Sequence, residues 1–454
     1  MTRFAQYSLF FGVTLLVASI GFSAQAASPS GVKVGAASAD LVADNTMVIG
    51  GGITGGPLAE QEGKLRVTAV VLEKPGTGKV AILSADVLFL TKDFVDPALA
   101  EIEKTCGIPA SHILVNATHT HHAPSTGTVH GYKRDEEFCR RVAAGIVKAA
   151  QDANAHLTEK ECSFHFSLGE ESSYGQNSRL LLADNTIFWT GLKDDVVRPT
   201  GPFDPQLPVL AFLNSEKKYE AVIFNHSTHT IGTRKPGVRS PSAYGLTAQE
   251  LEQEIGGNFL FLEGASGSTH NLTIGADEAI IRLKLAIKHA LGNLEPHSVD
   301  KLVSVKRPFA FKVRQYDEAV EDKKVVDYCK KRTGASADVI IDVFRKQREV
   351  LAPQQGQERT TSLQVMVVGD VAIVGVPAEY FTQLGMDIKR RSPYRYTYIA
   401  ELANDWVGYL PTREGHKLGG YQTWMGLHSY AEEGTGERIV DETVQMLNDL
   451  YKKP

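Results

Sequence analysis

Two short segments concentrate imidazoles. In Asn116-Ala117-Thr118-His119-Thr120-His121-His122-Ala123-Pro124, three histidines follow the apolar run at 113–115. Side chains alternate along an extended chain, so His119 and His121 point one way and His122 the other. An apolar strand ending in three imidazoles makes a poor core strand, because buried imidazoles need hydrogen-bond partners. As neutral rings sharing a face, His119 and His121 suit a divalent metal instead. Phe224-Asn225-His226-Ser227-Thr228-His229 repeats the arrangement. Asn225 and Thr228 favour a strand exit over a helix, which turns His226 and His229 apart; one becomes a ligand and the other lies behind it. The plain alternative for both segments is loop histidines that share no ion.

Two further strand exits carry other donors. The run at 371–376 leads into Pro377-Ala378-Glu379, a carboxylate at a strand-to-helix turn, and the run at 396–402 leads into a polar loop, 404–413, that holds Tyr409. Ligands collect beyond the carboxyl ends of strands in open α/β sheets, so four exits bearing His, His, Glu and Tyr outline one candidate site. Rival motifs are weaker. Lys74-Pro75-Gly76-Thr77-Gly78-Lys79 lacks the Walker spacing and reads as a turn. The glycine run at 50–56 lacks the dinucleotide fingerprint; it either approaches the metal site closely or is simply flexible. Ser266 and Ser268 have no Gly-x-Ser-x-Gly around them. Asn116, Asn225 and Asn271 head glycan-acceptor triplets, two of which overlap the proposed ligand strands and read as coincidence.

The elements that must hold these groups alternate in type. Apolar runs at 65–72 and 80–88 flank the 75–78 turn as a hairpin. Asp96-Pro97 predicts a helix start, with Leu99, Ile102 and Cys106 on one face and Gly107 as the stop. Phe138, Val142, Ile146 and Ala149 give a second helical stripe, and Ile280, Leu283, Ile287 and Leu291 a third, closed by Gly292. Strands are predicted at 219–224, 258–262 and 396–400, helices at 318–331, 338–351 and 438–451, and a hairpin about Gly369-Asp370. No internal repeat or clear linker is visible. The fold class is α/β: a single large layered domain over 27–454, with helices flanking a mixed β-sheet.

Residues 1–26 read as a signal peptide. Arg3 supplies the positive start, 9–22 the apolar run, and Ala24-Gln25-Ala26 the small residues before cleavage. The alternative is an N-terminal membrane anchor, since 4–22 is nearly long enough to span a bilayer. Export, to a periplasm or beyond, permits disulfides; Cys106, Cys139, Cys162 and Cys329 show no metal spacing and leave bridges and buried thiols equally open. With 43% hydrophobic and 22% charged residues, the chain of 454 is neither disordered nor a disulfide scaffold. Its formal charge of -5 becomes -6 without Arg3, and no basic cluster interleaves with aromatics, which argues against a nucleic-acid partner.

Thr118-His119-Thr120-His121 with Pro124, Asn225 to His229, Gly375-Val376-Pro377-Ala378-Glu379, and Tyr409-Leu410-Pro411-Thr412-Arg413 followed by Gly420-Tyr421 resemble, in that order, the catalytic domain of the neutral (non-lysosomal) ceramidase family. The resemblance implies a zinc enzyme (Zn2+) that hydrolyses the amide bond of an N-acyl sphingoid base, with His119, His229, Glu379 and Tyr409 as zinc ligands. It implies that His121 faces the scissile carbonyl and that Tyr421 hydrogen-bonds it. Arg179 joins them through Asn177-Ser178-Arg179, one residue displaced from the family's Asn-Arg. His122 stands where the family usually has Ser, His226 is an extra imidazole, and 263–271 is a loose match to the family's Gly-Asp-x-Ser-Pro-Asn. The immunoglobulin-like C-terminal domain of longer members is not expected, since 45 residues follow Tyr409 and such a sandwich needs ~100.

The chemistry so implied is attack of a zinc-activated water on a carbonyl. His121, Tyr421 and Arg179 would steady the oxyanion, each such donor being worth ~3–4 kcal/mol, and His121 or His226 would protonate the leaving amine. The partner expected is a small-molecule or lipid N-acyl substrate, the latter with peripheral membrane contact. Departures in the substrate walls keep an ester, lactone or other amide as the alternative substrate. A metal-retaining binding protein without turnover is the alternative class.

Overall fold

In the computed structural model, which describes Thr2 and residues 30–271 and 274–452, the alternating apolar runs resolve into three mixed sheets. In the first, β1 (Lys33–Asp40), β2 (Arg66–Lys74) and β3 (Gly78–Ala85) pair antiparallel in sequence. Helix α1 (Lys92–Cys106) then carries the chain across to β4 (Ile113–Ala117), parallel to β3. Helix α2 (Glu136–Ala155) follows.

The second sheet repeats the plan. β5 (Ser163–Glu170), β6 (Gln206–Leu213) and β7 (Tyr219–His226) are antiparallel, and α3 (Ser242–Ile255) crosses to β8 (Asn258–Glu263), parallel to β7. Helix α4 (Ala276–Leu291) follows, and β9 (Glu295–His297) adds an edge strand beside β5.

The third sheet has β10 (Leu302–Lys312), β11 (Glu358–Val368) and β12 (Val371–Val376) antiparallel. Helices α5 (Glu318–Arg332) and α6 (Ala337–Leu351) are inserted between β10 and β11, and α7 (Thr382–Arg391) crosses to β13 (Tyr396–Glu401), parallel to β12. A short α8 (Arg413–Leu418) and the long α9 (Thr435–Lys452) complete it.

Each sheet turns one face inward. Val70, Ile82 and Leu114 of the first, Phe166, Leu210 and Ile223 of the second, and Met366, Ile373 and Tyr398 of the third meet in one central apolar cluster. The opposite face of each sheet packs on its own helices: α1 and α2, then α3 and α4, then α7 and α9. This is the layered α/β architecture expected from the sequence, with three mixed sheets where one was anticipated. The repeat is invisible in the sequence because it resides in strand order and apolar alternation, which β1 (KVGAASAD) and β5 (SFHFSLGE) satisfy with different residues.

Asparagines tie the sheets together at the carboxyl ends of the parallel strands. Asn116 on β4 accepts the Glu263 N–H and donates to the Glu401 carbonyl. Asn225 on β7 donates to the carbonyls of Leu262 (2.8 Å) and Ile399 (2.9 Å), and Asn404 accepts the Val115 N–H at 3.1 Å. Asn116 is 0% exposed and Asn225 4%, which closes both to glycosylation in the folded protein.

Other expectations shift. Helix α1 begins after Thr91, four residues before Asp96-Pro97, and carries Pro97 inside it. All four cysteines are buried free thiols. The leader expected over 1–26 lies, Thr2 apart, outside the described residues. No helix among the described residues is long and apolar enough to cross a membrane.

Candidate functional site

The site lies where the three sheets meet. β4 ends at Ala117, and His119 takes the left-handed φ of 60°, so the chain turns where continued extension was expected. Strand alternation is thus not what pairs the imidazoles: that turn brings His119 Nε2 within 3.2 Å of His121 Nε2. His229 arrives three residues past the end of β7, its ring perpendicular to that of His119 at 4.5 Å between centroids. Glu379 and Tyr409 come from the third sheet. They are placed side by side in a two-residue parallel pairing of Glu379–Tyr380 with Tyr409–Leu410.

Four groups far apart in sequence therefore converge. Glu379 Oε2 is 3.6 Å from His119 Nε2 and 3.5 Å from His229 Nε2, and Tyr409 Oη is 3.1 Å from His229 Nε2. All four residues are buried. His119, His121 and His229 also form a three-imidazole group whose donor atoms lie within 4.8 Å of one another.

Backbone carbonyls fix the rings. His119 Nδ1 faces the Leu88 carbonyl at 2.7 Å, His121 Nδ1 that of Gly51 at 3.1 Å, and His229 Nδ1 that of Ser266 at 2.9 Å. A carbonyl only accepts, so each Nδ1 carries a hydrogen and each Nε2 is turned to the centre. Ser266 is held in turn by Glu401, whose carboxyl meets its N–H at 2.9 Å and its hydroxyl at 2.6 Å. Trp406 Nε1 donates to Glu379 Oε1 at 3.1 Å, leaving Oε2 for the imidazoles.

Burial, together with His229, brings the His119 imidazole down to about 4. Burial and then His119 hold His121 far below the usual imidazole range. Burial opposes ionisation of Glu379, but His229, His119 and Tyr409 outweigh it and take the carboxyl down to about 2. The centre is thus lined by imidazole Nε2 atoms and a carboxylate, each crowded within 3.6 Å of another, with the Tyr409 hydroxyl 3.1 Å from His229 Nε2. Such a cluster is repulsive unless a cation lies among its members, and nitrogen and oxygen donors of this kind suit zinc.

The tautomer of His121 changes its expected role. A neutral ring with Nδ1–H on Gly51 offers Nε2 as an acceptor, able to ligate or to take a proton but not to donate to an oxyanion. Arg179 does not reach the centre either. Its guanidinium donates to Gln422 Oε1 (2.8 Å) and to the carbonyls of Gly415 (3.0 Å) and Gly419 (2.6 Å), and lies over Phe381; burial lowers it to about 9. These bonds brace the 415–422 segment that presents Tyr421. Tyr421 does face the site, stacked on Trp189 with 4.7 Å between ring centroids.

His226 is a core residue, bonded to Tyr244 Oη (2.5 Å) and the Glu171 carbonyl (2.9 Å), and is remote from proton transfer. His122 accepts the Gly232 N–H at 3.1 Å, and His270 stacks on His229 at 4.2 Å. Sequence reading missed His130, Trp406, His428 and Glu401. Only Glu401, at the end of the run at 396–402, and Trp406, inside the polar loop after it, lay in segments already singled out.

Beside the donors a hollow of about 30 Å³, bounded by His119, His121, Glu379, Tyr421 and His130, has room for one or two waters. It adjoins a cleft of about 340 Å³ whose walls include Gly51, Trp189, Lys193, His270 and Tyr409. A larger cleft of about 630 Å³, along Arg314 and Lys331, contains none of the four donors; chemistry, not volume, selects the smaller one.

No protein-family model matches the sequence, and no curated protein does. Among solved structures, the neutral ceramidase from Pseudomonas aeruginosa superposes with a TM-score of 0.70 over 92% of this chain and 75% of that one, at 17% identity. The chain has the neutral ceramidase fold. A ceramidase complexed with C2 matches with a TM-score of 0.71 at 16% identity, over 93% and 76% of the two chains. At these identities the likeness is one of architecture, and the neutral ceramidase fold explains how distant segments reach one centre without extended sequence similarity.

Proposed function

We propose that the protein is an exported zinc-dependent amidohydrolase that cleaves a linear N-acyl amide of lipid character. The observation that carries the reading is the buried convergence of His119, His229, Glu379 and Tyr409, with each imidazole turned by a backbone carbonyl so that its lone pair faces the others. Structural neighbours that are ceramidases support the substrate class.

His119, His229, Glu379 and Tyr409 would hold the ion. Bound there, zinc supplies Lewis acidity that lowers the pKa of water and polarises a carbonyl. Tyr409, whose phenol is held well above its ordinary range by burial and by Glu379, needs that same charge to ionise. His121 Nε2 accepts the proton as the nucleophile forms and returns it to the leaving nitrogen, since its bare lone pair faces the hollow. Tyr421 donates a hydrogen bond to the carbonyl oxygen as negative charge develops, a contact worth ~3–4 kcal/mol in the transition state. Arg179 positions the segment that carries Tyr421.

A second reading keeps the chemistry and changes the substrate to a smaller, anionic amide or ester. Lys193, whose ammonium lies 5.1 Å from the Phe188 ring centroid, lines the 340 Å³ cleft and would meet a carboxylate or phosphate. A panel of short-chain N-acylsphingosine, N-acyl amino acids and the matching esters, assayed with zinc-loaded protein, separates the two. Turnover confined to esters or to anionic amides overturns the lipid amide, and inactivity on all members overturns the enzyme. Export is tested by N-terminal sequencing of the protein recovered from its source, with residue 27 expected first.

A further inference from the structure

Which way a proton runs between Tyr421 and its neighbour decides what that phenol can do. Tyr421 Oη and His130 Nε2 are 2.9 Å apart. A phenol that donates to the imidazole has no hydrogen left for a substrate oxygen; one that accepts from it does. Gln347 on α6, 2% exposed, settles the direction. Its Oε1 accepts the Leu427 N–H at 2.8 Å, which sets its Nε2 3.4 Å from His130 Nδ1. An amide nitrogen only donates, so Nδ1 is the bare nitrogen of His130 and Nε2 carries the hydrogen.

The ring is held for this purpose. His130 occupies a left-handed φ of 55°, a conformation unfavourable for a non-glycine residue that persists where the surroundings enforce it. Here Gly131 donates to the Ile53 carbonyl at 2.9 Å and Phe344 of α6 packs edge-on to the imidazole. His428 braces the other partner, facing the Tyr421 carbonyl at 3.0 Å and stacking on its ring. Burial keeps His130 neutral, as a single-hydrogen ring requires.

We propose that Gln347 and His130 are positioning residues which, by fixing the imidazole hydrogen on Nε2, leave the Tyr421 hydroxyl free to donate into the hollow beside Glu379. The inference rests on the role given to Tyr421 above; neither Gln347 nor His130 touches the substrate. It also gives the α5–α6 insertion a part in the site.

The test is Gln347→Glu, which keeps an acceptor for Leu427 but replaces the donor facing His130 with an acceptor. Nitrogen-15 NMR of the imidazoles, in the zinc-loaded protein, should show His130 protonated at Nε2 in the wild type and at Nδ1 in the variant. On whichever panel member is turned over, kcat should fall ~10–100-fold, short of the ~10²–10³ expected for loss of an oxyanion donor, with KM and zinc content unchanged. In a Tyr421→Phe background the same change should have no further effect. Should the buried carboxylate impair folding, His130→Gln, which retains an N–H for Tyr421, should keep several-fold more activity than His130→Leu. Wild-type His130 protonated at Nδ1, or an equal loss in the Tyr421→Phe background, overturns the relay. Full activity of Tyr421→Phe alone overturns the role of Tyr421 instead, a failure distinct from a wrong tautomer.

Discussion

Gly51→Ala is a sharp probe of the site because it adds one carbon and removes no proposed zinc ligand. Gly51 has φ 110°, and a Cβ there would lie 2.6 Å from His121 Cβ, 2.7 Å from Cγ and 2.8 Å from Nδ1. Ordinary contact begins at 3.4 Å, so the imidazole must retreat by about 0.6–0.8 Å. Misplacement of a catalytic group by ~1 Å costs roughly 10²-fold, which sets the expected fall in kcat. Overpacking adds ~1–3 kcal/mol of destabilisation, and the left-handed φ a similar ~1–3 kcal/mol. With an unfolding entropy of ~2.1 cal/mol/K per residue, the combined loss lowers Tm by only about 2–6 °C, so the variant stays folded. Steady-state kinetics, differential scanning fluorimetry and zinc analysis on one preparation read all three. Zinc should stay at the wild-type level, since His121 is proposed as the base and not as a ligand. Wild-type kcat in a folded, zinc-loaded variant would refute the placement of His121 in the chemistry.

Other expectations follow from the same geometry. Tyr421→Phe should retain zinc and lose ~10²–10³ in kcat, read by kinetics and metal analysis; expulsion of zinc would make Tyr421 a ligand and the assignment wrong. Trp406→Phe removes the N–H that engages Glu379 Oε1 and should weaken zinc ~10–100-fold, measured by competition with a chelator of known affinity; unchanged affinity would show that bond to be idle. Asp86, buried beside Arg66, has its carboxyl pushed up to about 7, burial outweighing the guanidinium. A raised carboxyl binds its proton more tightly folded than unfolded, so its stabilisation is full below pH ~4 and disappears as pH rises through about 7. The urea midpoint should therefore fall from pH 5 to 8, with a flatter decline in Asp86→Asn; identical slopes would exclude Asp86 as the source.

The donors were legible in sequence because each follows an apolar strand that stops abruptly at polar residues. Their contacts were less so. His119 and His121 meet through a left-handed turn at His119, which no residue type signals. The choice of His229 over His226 depends on Tyr244 and Glu171, which reach His226 from other segments. Glu379 and Tyr409 meet through a two-residue parallel pairing too short to show a period. Arg179 resembled a site residue by motif, but the carbonyls at 415 and 419 occupy its donors. His130 and Gln347 lie 217 positions apart and belong to no motif, so only the fold could join them. The three-sheet plan escaped notice because packing constrains the pattern of apolar residues and leaves their identities free.

The measurement closest to the centre of this account is metal content by elemental analysis of the purified wild type and of Glu379→Ala. One zinc per chain is expected in the wild type, with loss of both zinc and hydrolysis in the variant, since removing a ligand strips the site. A metal-free wild type that still hydrolyses, or a Glu379→Ala protein that keeps a full zinc, would contradict it.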